Sequence, residues 1–251
     1  MVAAGKPVVL VVFSGRPLTL PWAAEHVPAI LAAWFPGIQA GPALVRTLFG
    51  DANPTGRLVV SWPRAVGQEP LYYDALDTGR PAGDADLTKP PYEGTTKFIS
   101  RYIDEQNSPQ FPFGYGLSYA TFSYGATQIS AKELSAKNLN SALIANTKSG
   151  KSVLQVSADV TNSGSRPGEE TMQIYVRLEG TSVAEPVRAL RGFQKITLAP
   201  GETRKVSFEL GPEALALWGI QNKFEVEPAH VTVWISPDSA HGTSATLEIT
   251  Q

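Results

Sequence analysis

The 251-residue chain contains no cysteine. That excludes disulfides, thiol nucleophiles and thiolate metal sites. It does not fix the compartment, because proteins of oxidising compartments can also lack cysteine. Histidine is scarce: His26, His230 and His241 lie far apart in sequence, which gives no basis for a histidine-centred metal site. An excess of one charge is missing too. Twenty-one Lys and Arg against 23 Asp and Glu leave a net charge of −2, so no basic face is supplied for nucleic acid or an anionic membrane. No long apolar run is present. The stretch VVLVVF (8–13) is followed almost at once by Arg16 and Pro17. It is too short and too poorly flanked for a signal-peptide core or a membrane span. The expectation is a cytosolic chain, or one separated from its targeting segment. No phosphate-binding glycine loop, metal motif or nucleic-acid module is found, and no cofactor is expected.

What is there reads as two textures. Hydrophobic residues make up 43% and charged residues 18%, an ordinary foldable composition of one or two domains. KPVVLVVFSGRPLTL (6–20) opens on a continuous β-branched run, as in a strand buried on both faces. VPAILAAWF (27–35) is a second short strand candidate, stopped by Pro36 and Gly37. IQAGPALVRTLFG (38–50) places Leu44, Val45, Leu48 and Phe49 at helical spacing, with Gly50 to end the helix. RLVVSWP (57–63) reads as a third strand. The expected order is strand, strand, helix, strand, an α/β layer that begins almost at residue 1 and is therefore incomplete.

Residues 65–110 are rich in Gly, Pro, Asp and Thr and read as a long irregular connection. Beyond Phe122 the pattern is all-β. VLQVSADVTNSG (153–164), TMQIYVRLEG (171–180), RALRGFQKITLAPGETRKVSFEL (188–210), HVTVWISPDS (230–239) and SATLEIT (244–250) alternate apolar and polar residues between turns. Such spacing indicates a β-sandwich. SAKNLNSALIANTKSG (135–150) is polar and reads as a surface loop. Trp22, Trp34 and Trp62 are expected in the α/β core, and Trp218 and Trp234 in the sandwich.

Several stretches together resemble the C-terminal part of glycoside hydrolase family 3, in particular its bacterial periplasmic β-glucosidases. They are GKPVVLVVFSGRPLTL, LFGDANPTGRLVVSWPR, YYDALDTGRP, SRYIDEQNSPQFPFGYGLSYATF, VTNSGSRPGEETMQIYV and RALRGFQKITLAPGET, and they span nearly the whole chain. The resemblance implies a fold class of α/β plus all-β. A partial α/β sandwich at 1–117, linker included, precedes a fibronectin type III-like (immunoglobulin-like) β-sandwich at 118–251. It also implies retaining hydrolysis of terminal β-D-glucosyl residues by two carboxylates. The family's nucleophile lies on a TIM barrel and its acid/base upstream of the first strand here, so neither is expected on this chain. The implied partners are a β-linked gluco-oligosaccharide and the missing barrel half, in cis or in trans, with a homo-oligomer open. Neither nucleic acid nor membrane is implied, and the implied location is periplasmic or secreted.

The acidic candidates are Asp51, Asp74, Asp77, Asp84, Asp86, Glu93, Asp104 and Glu105, none at a catalytic position of the family. Glu93, Arg101 and Asp104 are the candidate substrate-binding residues, because they sit on the connection that would border an active-site mouth. The bland alternative is loop contacts, including pairing with Arg101. Asp51 in FGDANP is expected to build a turn. Ser14 in FSGRP follows a strand, but the Gly-x-Ser-x-Gly pattern of a nucleophile elbow is absent. His26 beside Glu25 is expected to be exposed or satisfied. In FPFGYGLSY (111–119) the glycines are expected to allow a close crossing, with Phe113, Tyr115 and Tyr119 packing rather than stacking on sugar. Three functions stay open: a portion of a β-glucosidase, inactive alone; a stand-alone carbohydrate- or protein-binding module; and a recruited esterase-like hydrolase.

Overall fold

The computed structural model describes residues 2–81, 98–145 and 152–251. Its contacts divide the chain into two compact units. The first holds Met1–Ala52, Leu58–Tyr73 and Thr78–Phe113, and the second Asn53–Arg57, Asp74–Asp77 and Gly114–Gln251. In sequence the units interleave. Two short segments from before residue 80 belong to the second.

In the first unit, strand β1 (Val9–Val12) pairs in parallel with β2 (Ala29–Ala32), Val9 opposite Ala29 and Val12 opposite Ala32. Parallel strands need a crossover, and helix α1 (Pro21–His26) supplies it. Pro21 starts α1 without penalty, since the first turn has no N–H partner to lose. Helix α2 (Ala40–Leu48) follows. It ends where expected: Gly50 takes φ +86°, and its N–H donates to Thr47 O at 3.2 Å. The observed order is therefore strand, helix, strand, helix. Six residues are too few for α1 to show a period. The expected third strand at 57–63 does not form. Val59 is exposed, and the segment pairs only through the isolated bridge between Trp62 and Phe111. RLVVSWP has strand composition, but among the described residues no neighbouring strand gives it a ladder.

The second unit is a sandwich of two sheets. Its remaining elements are β3 (Phe122–Tyr124), β4 (Gln128–Ile129), β5 (Glu133–Ser135), α3 (Ala136–Ala145), β6 (Leu154–Asn162), β7 (Gly168–Glu179), β8 (Ala189–Leu198), β9 (Thr203–Leu210), β10 (Leu217–Trp218), β11 (Phe224–Glu225), β12 (Ala229–Ser236) and β13 (Thr243–Thr250). One sheet runs β5-β13-β12-β7-β8, antiparallel except for β5 with β13. In the other, β6 pairs with β3 and β4 along one edge and with β9 along the other. Period-two patterning turns Val156, Val160, Ile174, Val231, Val233 and Ile235 inward, each fully buried. Burying a side chain of that size stabilises by roughly 1.5–3 kcal/mol.

The stretch expected as a surface loop at 135–150 contains α3 instead. Ala136 and Leu139 are buried in the sandwich core and Leu143 packs against it. That is a helical stripe, masked by Asn, Ser and Lys on the other face. Residues 146–151 of the stretch lie outside the described ones.

Candidate functional site

The candidate substrate-binding segment belongs to the first unit and is tied down by groups without motif character. Gln68 is buried at 2% exposure. Its Oε1 accepts the Arg64 N–H at 2.6 Å, and its Nε2 donates to Gln106 O at 2.6 Å and Ser108 O at 3.3 Å. Trp62, 3% exposed, pairs backbone to backbone with Phe111 and Gln110, both at 2.8 Å. Asn107 closes the loop, accepting the Tyr102 N–H and donating to Ser100 O, both at 3.1 Å. On this loop Arg101 is half-buried, Asp104 exposed, and Glu105 bonds the adjoining Gln106 N–H at 2.8 Å. Glu93, with Asp84 and Asp86, lies outside the described residues. Sequence reasoning missed Gln68 and Asn107, whose only signal is being amides in an irregular segment.

The other acidic candidates separate. Asp51 is exposed at the bend after α2 and Asp74 is exposed. Asp77 pairs with Arg177 at 2.7 Å, and Arg177 also holds Glu179 at 2.9 Å. The buried carboxylates among the described residues are Glu170 and Asp238, both in the second unit. Glu170 accepts from Arg57 Nη2 at 2.7 Å and from the Tyr124 hydroxyl at 2.6 Å. Burial holds its carboxyl above the usual range, against the pull of Arg57 and Tyr124. Burial likewise pushes the Tyr124 phenol far up, helped by the Glu170 charge. Asp238 Oδ1 accepts the Ala240 and His241 N–H groups at 2.8 and 2.9 Å, and Oδ2 meets His241 Nδ1 at 2.8 Å. Both buried carboxylates are thus occupied in holding backbone and side chains.

The remaining candidates are local. Ser14 Oγ donates to Arg16 O at 2.8 Å and closes its own turn. His26 Nδ1 lies 2.9 Å from Trp22 O, and its ring stacks on Trp22 at 4.8 Å. Trp22 is 59% exposed, against the expected core place; it sits on a two-turn helix and is covered on one face by the His26 ring. Trp62 is in the core as expected, with Trp34 against its edge at 6.1 Å. Phe113 stacks on Tyr73 at 4.1 Å. The FGYG crossing is close: a Cβ on Gly114, at φ +81°, would meet Gln173 Oε1 at 2.1 Å, and one on Gly116 would meet Gly56 O at 2.4 Å. Among the described residues no three His, Asp or Glu side chains gather as a metal site.

Comparison with known proteins identifies both units. Residues 1–119 match the glycosyl hydrolase family 3 C-terminal domain, and residues 170–239 match the fibronectin type III-like domain. Residues 1–119 thus belong to the C-terminal domain of glycoside hydrolase family 3. A periplasmic β-glucosidase of Salmonella typhimurium is 42% identical over 98% of the chain, which covers 29% of that relative. A β-xylosidase of Formosa agariphila is 38% identical over 98% of the chain and 30% of its own length. A solved β-glucosidase of Listeria innocua, in complex with glucose, superposes over the whole chain with a TM-score of 0.83 at 34% identity, and 32% of it is covered. The chain therefore spans about 30% of the length of the curated relatives it matches.

Retaining glycoside hydrolysis needs two carboxylates about 5–5.5 Å apart, one ionised and one able to give a proton. In the family 3 C-terminal domain described here, the exposed Asp51 and Asp104 belong to separate local structures. In the fibronectin type III-like domain the buried pair is committed to Arg57, Tyr124 and the His241 turn. No helix among the described residues is long and apolar enough to cross a membrane.

Proposed function

We propose that this chain serves as the C-terminal part of a β-glucosidase-type enzyme that hydrolyses terminal β-D-glucosyl residues with retention. In this reading the nucleophile and acid/base come from a barrel-bearing part, in cis or in trans. One observation carries it. The first unit holds a two-stranded sheet and an amphipathic helix, yet α2 buries none of its residues. Phe35 is 80% exposed, Ile38 98% and Phe49 81%. Apolar surface on that scale stabilises only when another body covers it.

Glu93, which lies outside the described residues, and Arg101 and Asp104, on a loop braced by Gln68 and Asn107, are the residues we assign to the substrate side of the completed enzyme. The name of one relative, the periplasmic β-glucosidase of Salmonella typhimurium, favours a periplasmic or secreted location, and the relatives as a group name more than one activity. They divide between glucoside and xyloside hydrolysis, so both glycones belong in the test.

The test is hydrolysis of aryl β-glucoside and aryl β-xyloside by the purified chain, alone and mixed with the barrel-bearing portion of a family 3 enzyme. The expected result is silence alone and turnover on mixing. Glycoside turnover by the chain alone would overturn the placement of the carboxylates. Continued silence on mixing, with complex formation demonstrated, would favour a binding module. An aryl acetate in parallel tests the esterase reading, which requires activity that Ser14→Ala abolishes.

A further inference from the structure

The β10–β11 hairpin spends aromatic residues in an unusual way. Trp218 and Phe224 are direct cross-strand partners, so both rings leave the same face. Their centroids are 5.8 Å apart with planes tilted by 43°, and they are 63% and 43% exposed. The flanking residues anchor the hairpin: Leu217, on the face opposite Trp218, and Val226, just after the second strand, are 4% and 2% exposed and belong to the sandwich core. The hairpin is also fastened from the sides. Asn140 brackets Val226, its Nδ2 donating to Val226 O and its Oδ1 accepting the Val226 N–H, both at 2.8 Å. Glu227 accepts from the Ser182 N–H at 2.7 Å and the Ser182 hydroxyl at 2.6 Å, and Ser182 Oγ accepts the Ile220 N–H at 3.0 Å. Two large rings are thus held rigidly in water, at a hydrophobic cost that folding alone does not require.

We propose that this hairpin is a stacking platform for a β-linked glucan chain. The proposal rests on the glucan-directed reading above. The electron-rich ring face attracts the weakly positive C–H groups that line one face of a pyranose. Two tilted rings suit consecutive sugars of a twisting chain, one ring to each. The tip supplies Gln221, Asn222 and Lys223, all exposed, as hydrogen-bonding groups for hydroxyls. Rigid rings with adaptable polar neighbours bind without ordering cost. A protein partner would need a broader surface, about 800 Å² on each side. Two rings and Ile220 beside an amide- and amine-bearing tip form a smaller and wetter patch than that.

The test is isothermal titration of the purified chain with laminaritetraose and with cellotetraose. At least one is expected to bind saturably, with Kd near about 1 mM or tighter. Trp218→Ala is expected to weaken binding tenfold or more and Phe224→Ala several-fold, with the sandwich still melting cooperatively, because neither ring belongs to its core. Loss without unfolding is what a platform predicts. No saturable heat with either sugar would overturn the proposal. So would equal affinity in Trp218→Ala, or shielding of Trp218 from a fluorescence quencher by the barrel-bearing portion but by neither sugar. The readout is binding without turnover. Failure here leaves the hydrolase reading standing, and failure of turnover on mixing leaves the platform standing.

Discussion

Arg57 and Glu170 are 113 residues apart in sequence and meet at 2.7 Å, with side chains only 10% and 4% exposed. The turn Asn53–Arg57 is thereby clipped into the sandwich. Asn53 helps, its Oδ1 accepting the Ser118 hydroxyl at 3.0 Å and the Tyr119 N–H at 2.9 Å. A buried pair is costly to break, because the surviving charge stays in a dry site. Arg57→Met is expected to destabilise the second unit by about 3–5 kcal/mol. Adding Glu170→Gln removes the stranded charge and still offers Tyr124 an acceptor. The double variant is expected to recover more than half of the loss in urea unfolding. A single variant within about 0.5 kcal/mol of wild type would show that the clip is ornamental.

Tyr124 gives the pair an alkaline signature. Its phenol is held far above the ordinary 10.0 by burial first and then by the Glu170 carboxylate. Above that value an unfolded Tyr124 loses its proton while the folded one keeps it. The unfolded state then binds fewer protons, so stability falls as pH rises. One proton corresponds to about 1.4 kcal/mol per pH unit. Unfolding free energies measured between about pH 10 and pH 11, where the unfolded phenol is only partly ionised, should decline more steeply in wild type than in Tyr124→Phe, by about 1 kcal/mol. Parallel declines would remove Tyr124 as the source.

The crossing at Gly116 has a matched control. A methyl there would press on the Gly56 carbonyl at 2.4 Å, and a backbone oxygen yields little. A methyl on Gly56 itself meets nothing within 4 Å, and its φ is not positive. Gly116→Ala is expected to cost about 1–3 kcal/mol, and Gly56→Ala to fall within about 0.5 kcal/mol of wild type. Thermal melts of the two variants side by side decide it, and equal melting temperatures would mean that the crossing relaxes freely.

What the sequence shows and hides follows from the range of each interaction. The sandwich strands were legible because alternation is local: LQVSADVTN already displays the inward Val156 and Val160. Helix α2 was legible from Leu44, Val45 and Leu48, with Gly50 at its end. Helix α1 is too short to declare a period, and α3 hides a three-residue apolar stripe in a polar stretch. Residues 57–63 show the opposite failure, since strand composition creates no strand where no neighbour is at hand. The loop of Arg101 and Asp104 was placed by resemblance, but the amides that brace it carry no pattern: Gln68 reaches Gln106 and Ser108, 38 and 40 residues away, and Asn107 bonds Tyr102 and Ser100 within an irregular loop. The Arg57–Glu170 clip is of the same kind.

The open face of the first unit leads to the broadest expectation. Val9 opens β1 and Phe13 follows it, Val45 and Leu48 lie on α2, and all four are exposed along with Phe35, Ile38 and Phe49. The buried apolar residues of this unit, among those described, are Val12, Ala23, Trp62, Pro63 and Pro112. The second unit, by contrast, closes a continuous core of its own. The two should therefore part company in solution. The isolated chain is expected to bind a hydrophobic dye and to self-associate as concentration rises, while the sandwich melts cooperatively at a higher temperature. Ile38→Ser with Phe49→Ser should reduce both dye binding and association and leave the sandwich transition in place, because neither side chain supports a core. A monodisperse monomer that binds no dye would show that the face is covered from within the chain. The need for a barrel-bearing partner would then lose its physical basis.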